Sequence, residues 1–168
     1  LRRATIGHNG DFGWGVETRW NLFRLVGVPE PAGVGGRFDF DWYERGLLAG
    51  TRVEYRRETF SGHTRLHGMW DSDQDDDFGT ERENIRAPGT RGWFQWRHKQ
   101  YLPRDWTVQA EASYICDRNF LEEFFPDEFW TEKPQETLVY AKKQRDNWAL
   151  TVLGQWRIND FLTQTESL

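Results

Sequence analysis

Five carboxylates stand at alternating positions of apolar–polar segments, a spacing that could bring two of them together for acid–base chemistry. Two juxtaposed carboxyl groups are the machinery of glycoside hydrolysis. Each of the five, however, shares its face with a basic or amide residue, so a mixed-sign lining of a hydrated interior explains them more simply. We therefore do not expect a catalytic pair among them. The carboxylates are Glu17, Asp39, Asp41, Glu54 and Glu111, and their neighbours are Arg19, Arg37, Arg52, Arg56 and Gln109.

An acidic run places an aspartate at every second residue of 71–77, in the manner of a calcium-binding loop. Such a loop requires a glycine at its sixth position and a glutamate at its twelfth. Counted from Asp71, these positions hold Asp76 and Arg82. We therefore predict a solvated acidic loop over 71–90 rather than a calcium site.

The histidines and the single cysteine also lack the spacing of a metal or nucleophile site. His63 and His67 are four residues apart, which on a strand separates them by about 13 Å. Cys116 has no histidine near it in the sequence, and a lone cysteine forms neither an intramolecular disulfide nor a cysteine-based zinc site. We expect no metal and no cofactor.

The elements that position these side chains are long strands with two different faces. Between Phe12 and Leu22 every second residue is apolar or favours a strand, whereas the residues between them are small, charged or amide. The pattern returns at 148–158 and, with smaller side chains, at 106–114. Strands of about ten residues that end in aromatics and alternate apolar with polar positions are typical of a transmembrane β-barrel wall.

The whole chain is predicted to be all-β, an antiparallel meander of about eight strands that forms part of an outer-membrane β-barrel. Short links rich in turn formers at 44–46, 103–105 and 145–147 favour hairpins. The link 116–135 is long and is predicted to contain a short helical turn at the barrel rim, and the length of 24–35 has no evident reason. The predicted strands are 12–23, 36–43, 47–57, 62–70, 91–102, 106–115, 136–144 and 148–158.

Composition narrows the class of protein further. Aromatic residues make up 16% of the 168 residues and include 10 tryptophans, more than a core of this size needs and suited to the aromatic girdles of a barrel. A net charge of −5 argues against a nucleic-acid partner. The mean hydropathy is −0.85, and no run approaches the roughly 18 apolar residues of a membrane helix. We interpret the chain, which starts without Met, as an internal piece of a longer protein.

Several specific motifs occur in a fixed order along the chain. They are Tyr43-Glu44-Arg45-Gly46, Val53-Glu54-Tyr55, Leu66 to Asp71, Arg91-Gly92-Trp93-Phe94-Gln95-Trp96-Arg97-His98-Lys99-Gln100, Trp106, and Ala112 to Phe124. That order resembles the barrel of the lipopolysaccharide-assembly protein LptD family, also called organic solvent tolerance protein. The resemblance covers about 40–160, and residues 1–39 agree only in pattern. The family's Ser-Asp dipeptide is replaced by Cys116-Asp117, which keeps the aspartate that turns the backbone.

The resemblance implies an outer-membrane translocon that inserts lipopolysaccharide into the outer leaflet, and not an enzyme. Its partners would be lipopolysaccharide, outer-membrane lipids, an LptE-like plug lipoprotein and periplasmic bridge proteins. The family's jellyroll domain and its terminal gate strands are not recognisable in 1–168. Two alternatives stay open: a general porin, and a soluble aromatic-rich β-sandwich that binds glycans.

The resemblance also divides the strand residues between an aqueous lumen and the lipid. The lumen candidates are Glu17, Arg19, Asp39, Asp41, Arg52, Glu54, Arg97, Lys99, Gln109, Glu111, Gln155 and Arg157. The lipid-facing candidates are Phe12, Trp14, Trp20, Phe38, Phe40, Trp42, Val53, Phe94, Trp96, Val108, Val152 and Trp156.

Overall fold

Nine strands in sequence order form one antiparallel sheet in the computed structural model, which describes residues 1–9, 12–72, 75–76, 85–86 and 89–158. The order across the sheet is β1-β2-β3-β4-β5-β8-β9-β10-β11, and β6 and β7 pair separately. The strands are β1 Arg3–Asn9, β2 Gly13–Asn21, β3 Val34–Tyr43, β4 Gly46–Arg56, β5 Phe60–Asp71, β6 Asp75–Asp76, β7 Ile85–Arg86, β8 Thr90–Leu102, β9 Trp106–Ile115, β10 Thr137–Arg145 and β11 Trp148–Trp156.

The predicted all-β antiparallel meander is confirmed. Each of the eight predicted strands is present, with ends that differ from the prediction by a few residues. A ninth strand, β1, was not predicted; it pairs with β2 from Arg3 opposite Arg19 to Asn9 opposite Gly13. Within the described residues the sheet does not close on itself, so β1 and β11 are its two edges.

Connections at one end of the sheet, which we call the turn end, are mostly tight. Arg104, Asp105 and Asp146 have φ values of 63°, 65° and 49°, the left-handed backbone that hairpin turns require and that aspartate tolerates. The remaining connection at this end is the long segment 22–33. It begins with the short helix α1, Leu22–Leu25, which Asn21 caps by accepting the Arg24 backbone N–H at 3.0 Å.

The opposite end, which we call the loop end, carries the long connections 72–89 and 116–136. The second of these contains α2, Phe120–Phe124, and α3, Pro126–Thr131. These two helices bring Phe120, Leu121, Phe124 and Phe129 into one buried apolar cluster with strand residues Leu48, Met69, Trp93 and Ile115. The predicted helical turn is therefore present, and it packs against one face of the sheet. No helix in the described residues is long and apolar enough to cross a membrane.

Candidate functional site

The pairing register sorts the side chains of the nine strands onto two faces of opposite character. The apolar face comprises the odd-numbered residues of β4 and β10 and the even-numbered residues of the other seven strands. Within these strands it contains no Asp or Glu, and its lysine and arginine are Lys143 and Arg145 at the turn end. The remaining alternate positions form the polar face, whose carboxylates are Glu17, Asp39, Asp41, Glu54, Asp71 and Glu111.

Large side chains of the apolar face are open to the surroundings. Trp70 is 70% exposed and Val152 and Trp156 are each 58% exposed. Aromatic residues lie toward both ends of this face. They are Trp14, Trp42, Trp70, Tyr114 and Trp156 toward the loop end, and Trp20, Tyr55, Phe60, Trp106 and Trp148 toward the turn end. A contiguous exposed apolar surface of this kind marks an interface with protein or membrane.

The polar face is where the buried residues lie. Arg91 and Asp71 are each 1% exposed and Gln95 is fully buried, and α2 and α3 cover this side. The two helices thus cover part of the polar face, whereas large side chains of the apolar face stay exposed.

The residues predicted from the sequence fall on these faces almost without exception. Every lumen candidate that lies in a strand is on the polar face, and Arg157 follows the end of β11. Every lipid candidate but one is on the apolar face.

Phe12 is the exception, and its assignment to the lipid-facing set is wrong. The centre of its ring lies 5.4 Å from that of Phe124, on which it stacks, and 5.4 Å from that of Tyr43. Both of these rings are on the polar side of the sheet. Phe12 precedes β2, and Gly13, the first residue of β2, has a φ of 74°. This left-handed backbone interrupts the alternation of side chains between the two faces. Phe12 is therefore not on the same face as Trp14 and Val16, although it is an even number of residues from both.

A row of alternating charges, which we call the charge ladder, crosses the loop end of the polar face: Glu123, Arg45, Asp71, Arg91 and Asp117. Arg45 donates from Nε to Oδ1 of Asp71 at 2.8 Å and from Nη2 to Oδ2 at 3.0 Å, and its Nη1 donates to Glu123. Arg91 donates from Nη1 to Asp71 at 3.3 Å. It also donates from Nε and Nη2 to Asp117 at 3.0 and 2.8 Å.

The aromatic ring of Phe124 packs against both arginines of the charge ladder. The guanidinium carbons of Arg45 and Arg91 lie 5.3 and 4.9 Å from the centre of the Phe124 ring. A guanidinium over an aromatic face gains a further electrostatic attraction. The ladder therefore joins the β3–β4 turn, the ends of β5 and β8 and helix α2 into one unit.

The last member of the ladder has an altered pKa. Burial alone would raise the pKa of Asp117. The hydrogen bonds from Arg91, Cys116 and the Asn119 backbone, together with the charge of Arg91, outweigh burial and hold that pKa below its usual value. Asp117 also accepts the Asn119 backbone N–H at 3.1 Å, so it turns the chain into α2. Burial, together with the hydrogen bond to Asp117, raises the pKa of the Cys116 thiol to about 12, which makes Cys116 a poor nucleophile.

A second polar network fixes the chain after α3. Gln135 accepts from Gln95 Nε2 at 2.8 Å and from Ser113 Oγ at 3.0 Å. Glu132 forms ion pairs with Arg65 at 2.8 Å and with Arg97 at 3.4 Å. Both ends of the α2–α3 segment are therefore bonded to the polar face.

An open cavity of about 340 Å³ lies beside this segment, between the polar face of β1–β5 and the helices. Asp39 lies in its lining and pairs with Arg19 at 3.1 Å and Arg37 at 2.7 Å. Such a cavity can bind hydroxylated or charged groups, because its lining offers both hydrogen-bond donors and acceptors. Among the described residues, no group of three or more His, Cys, Asp or Glu side chains is arranged to hold a metal ion.

The structure describes only part of the predicted acidic loop. Asp71 does not belong to a solvated loop, because it ends β5 and is buried between Arg45 and Arg91. The side chains of 73–88 lie outside the described residues, so the calcium alternative is not tested there.

Several residues of this face escaped the sequence analysis. Asp71 and Arg91 continue the polar alternation of β5 and β8, which is a signal that could have identified them. Arg45 lies in a turn, and Gln135 lies in a connection, so alternation could not have placed either of them.

No protein-family model matches the chain. No curated protein sequence matches it either.

Proposed function

We propose that this chain is a wall segment of a transmembrane β-barrel in the outer membrane, and that the barrel is a lipopolysaccharide translocon. The observation that carries the membrane part is the distribution of charge. Across nine strands the apolar face has no carboxylate, whereas the polar face holds both signs of charge in ion pairs. A face without carboxylates can contact lipid, and a face with paired charges suits a hydrated lumen.

The spacing of the aromatic residues supports the same environment. Trp148 and Trp156 stand at the two ends of β11, eight residues apart, which corresponds to about 26 Å along the strand. With the tilt of about 40° usual in barrels, the height between the two rows is roughly 20 Å, close to the apolar band of an outer-membrane barrel.

Strand direction indicates that the barrel needs more strands than these nine. The first and ninth strands of an antiparallel meander run in the same direction, so β1 and β11 would pair in parallel if they met. An all-antiparallel barrel therefore requires an odd number of additional strands between them. We infer a larger barrel of which this sheet is a part.

The assignment to lipopolysaccharide transport rests on the resemblance to the LptD family. Arg91 and Asp117, both within the resembling segment, bond to each other and hold α2 against the wall. In this proposal the polar face conducts the sugar part of lipopolysaccharide, and the protein transports its substrate without catalysing a reaction. Its partners would be an LptE-like plug lipoprotein and periplasmic bridge proteins.

Depletion of the full-length protein tests the function. If it is a translocon, depletion traps lipopolysaccharide in the inner membrane and periplasm and makes the cells permeable to large hydrophobic compounds. A porin, the alternative that a charged lining also allows, would instead lose uptake of small hydrophilic solutes. Normal surface lipopolysaccharide after verified depletion, in an organism that makes it, would contradict the translocon.

A further inference from the structure

Lys143 occupies an unusual position on the apolar face. It lies near the turn end of β10, opposite Trp106 on β9 and Leu150 on β11. Its Nζ lies 5.7 Å from the centre of the Trp106 ring and 5.6 Å from the centre of the Trp148 ring. Two tryptophans, one on each strand that pairs with β10, therefore hold one ammonium group between them.

The charge of Lys143 has no acidic counterpart on its own face. The strands place no Asp or Glu among the apolar-face positions of the described sheet. The other cation of this face, Arg145, is directed to Asp146 at 3.9 Å, an exposed pair at the hairpin tip. Lys143 is thus a cation at the boundary of an apolar surface, oriented by rings rather than neutralised by a carboxylate.

We propose that Lys143, Trp106 and Trp148 form a binding site for the phosphate of an anionic phospholipid headgroup. The inference rests on the proposed membrane wall. A lysine ammonium is a compact point charge that suits a phosphate, and tryptophan rings favour the headgroup level of a bilayer. Below the site the same face continues with Val108, Ala141 and Val152, which offer an apolar surface to the acyl chains.

The test compares three variants of the full-length protein. Lys143→Gln removes the charge, and Lys143→Arg keeps it. Lys142→Gln is the matched control, because Lys142 is the adjacent residue and lies on the polar face. Each protein is equilibrated with equimolar phosphatidylglycerol and phosphatidylcholine in phosphate-free buffer, and native mass spectrometry measures the ratio of the two lipids that stay bound.

One lysine near a membrane surface contributes about 1 kcal/mol to binding of anionic lipid, which corresponds to about a fivefold change in the ratio. We expect Lys143→Gln to lose about fivefold of the preference for phosphatidylglycerol, and Lys143→Arg and Lys142→Gln to keep it. An unchanged ratio in Lys143→Gln, with lipid still bound, overturns the headgroup site and leaves the membrane wall intact. Failure of the wild type to retain any lipid overturns both.

A second measurement reads the site in the wild type and uses the variants only to assign the signal. Solid-state NMR of the protein with ¹⁵N-labelled lysine in phosphatidylglycerol vesicles measures dipolar coupling between lysine Nζ and lipid phosphorus. We expect coupling at a signal that Lys143→Arg removes and Lys142→Gln retains. No coupling at that signal overturns the site.

Discussion

Arg45 and Asp71 form a two-pronged ion pair that ties the β3–β4 turn to the end of β5, with N–O distances of 2.8 and 3.0 Å. Neither side chain is more than 7% exposed. Asp71 also accepts from Arg91, so one carboxylate serves two arginines. The carboxylate must stay charged for the charge ladder to hold, because removing it leaves buried guanidinium groups short of a counter-ion.

Asp71→Asn should therefore destabilise the full-length protein strongly. Removing one partner of a buried ion pair costs about 3–5 kcal/mol. The matched control is Glu54→Gln, because Glu54 pairs with Arg52 but is 57% exposed, and an exposed pair contributes at most about 1 kcal/mol. Urea titration in lipid vesicles measures both. Equal losses in the two variants would contradict a structural role for the ladder.

The attachment of α2 should depend on pH through Asp117. The pKa of Asp117 is lowered in the folded protein, since the hydrogen bonds it accepts and the charge of Arg91 together outweigh the effect of burial. A lowered pKa stabilises the fold above the unfolded value of about 3.9 and loses that contribution as the pH falls through the folded value. The free energy of unfolding should decline below about pH 4 in the wild type. The corresponding decline should be smaller in Asp117→Asn, and identical acid limbs would exclude this carboxylate.

Sequence pattern was sufficient for most of the sheet because alternation is a local property. It identified eight strands and assigned both faces, but it missed β1, where Ile6 is the only large apolar residue among Arg3–Asn9. That strand forms because β2 offers it a partner. The pattern also misplaced Phe12, because the left-handed backbone of Gly13 interrupts the alternation of side chains between the two faces. The charge ladder was not predictable, since pairing across the sheet brings its members together from turns and strand ends distant in the sequence.

The two faces of β11 should respond differently to a new charge. Val152 lies on the apolar face and Gln155 on the polar face. Arginine at the midplane of a lipid-facing surface costs about 2–4 kcal/mol. Val152→Arg should therefore lower the free energy of unfolding in vesicles by that amount, while Gln155→Arg should have little effect. Equal costs would contradict the assigned faces.

Orientation in the membrane follows from the alternation of long and short connections. Outer-membrane barrels have tight periplasmic turns and long surface loops, so the loop end should face outward and the 103–105 turn inward. In a Cys116→Ser background, a membrane-impermeant maleimide applied to intact cells should label a cysteine at Asp76 and leave one at Arg104 unlabelled. Lysed cells provide the control, in which both cysteines should react. Because a strand that begins at one surface ends at the other, labelling at Arg104 alone would reverse every strand of the sheet, and it would move the Lys143 headgroup site to the outer leaflet.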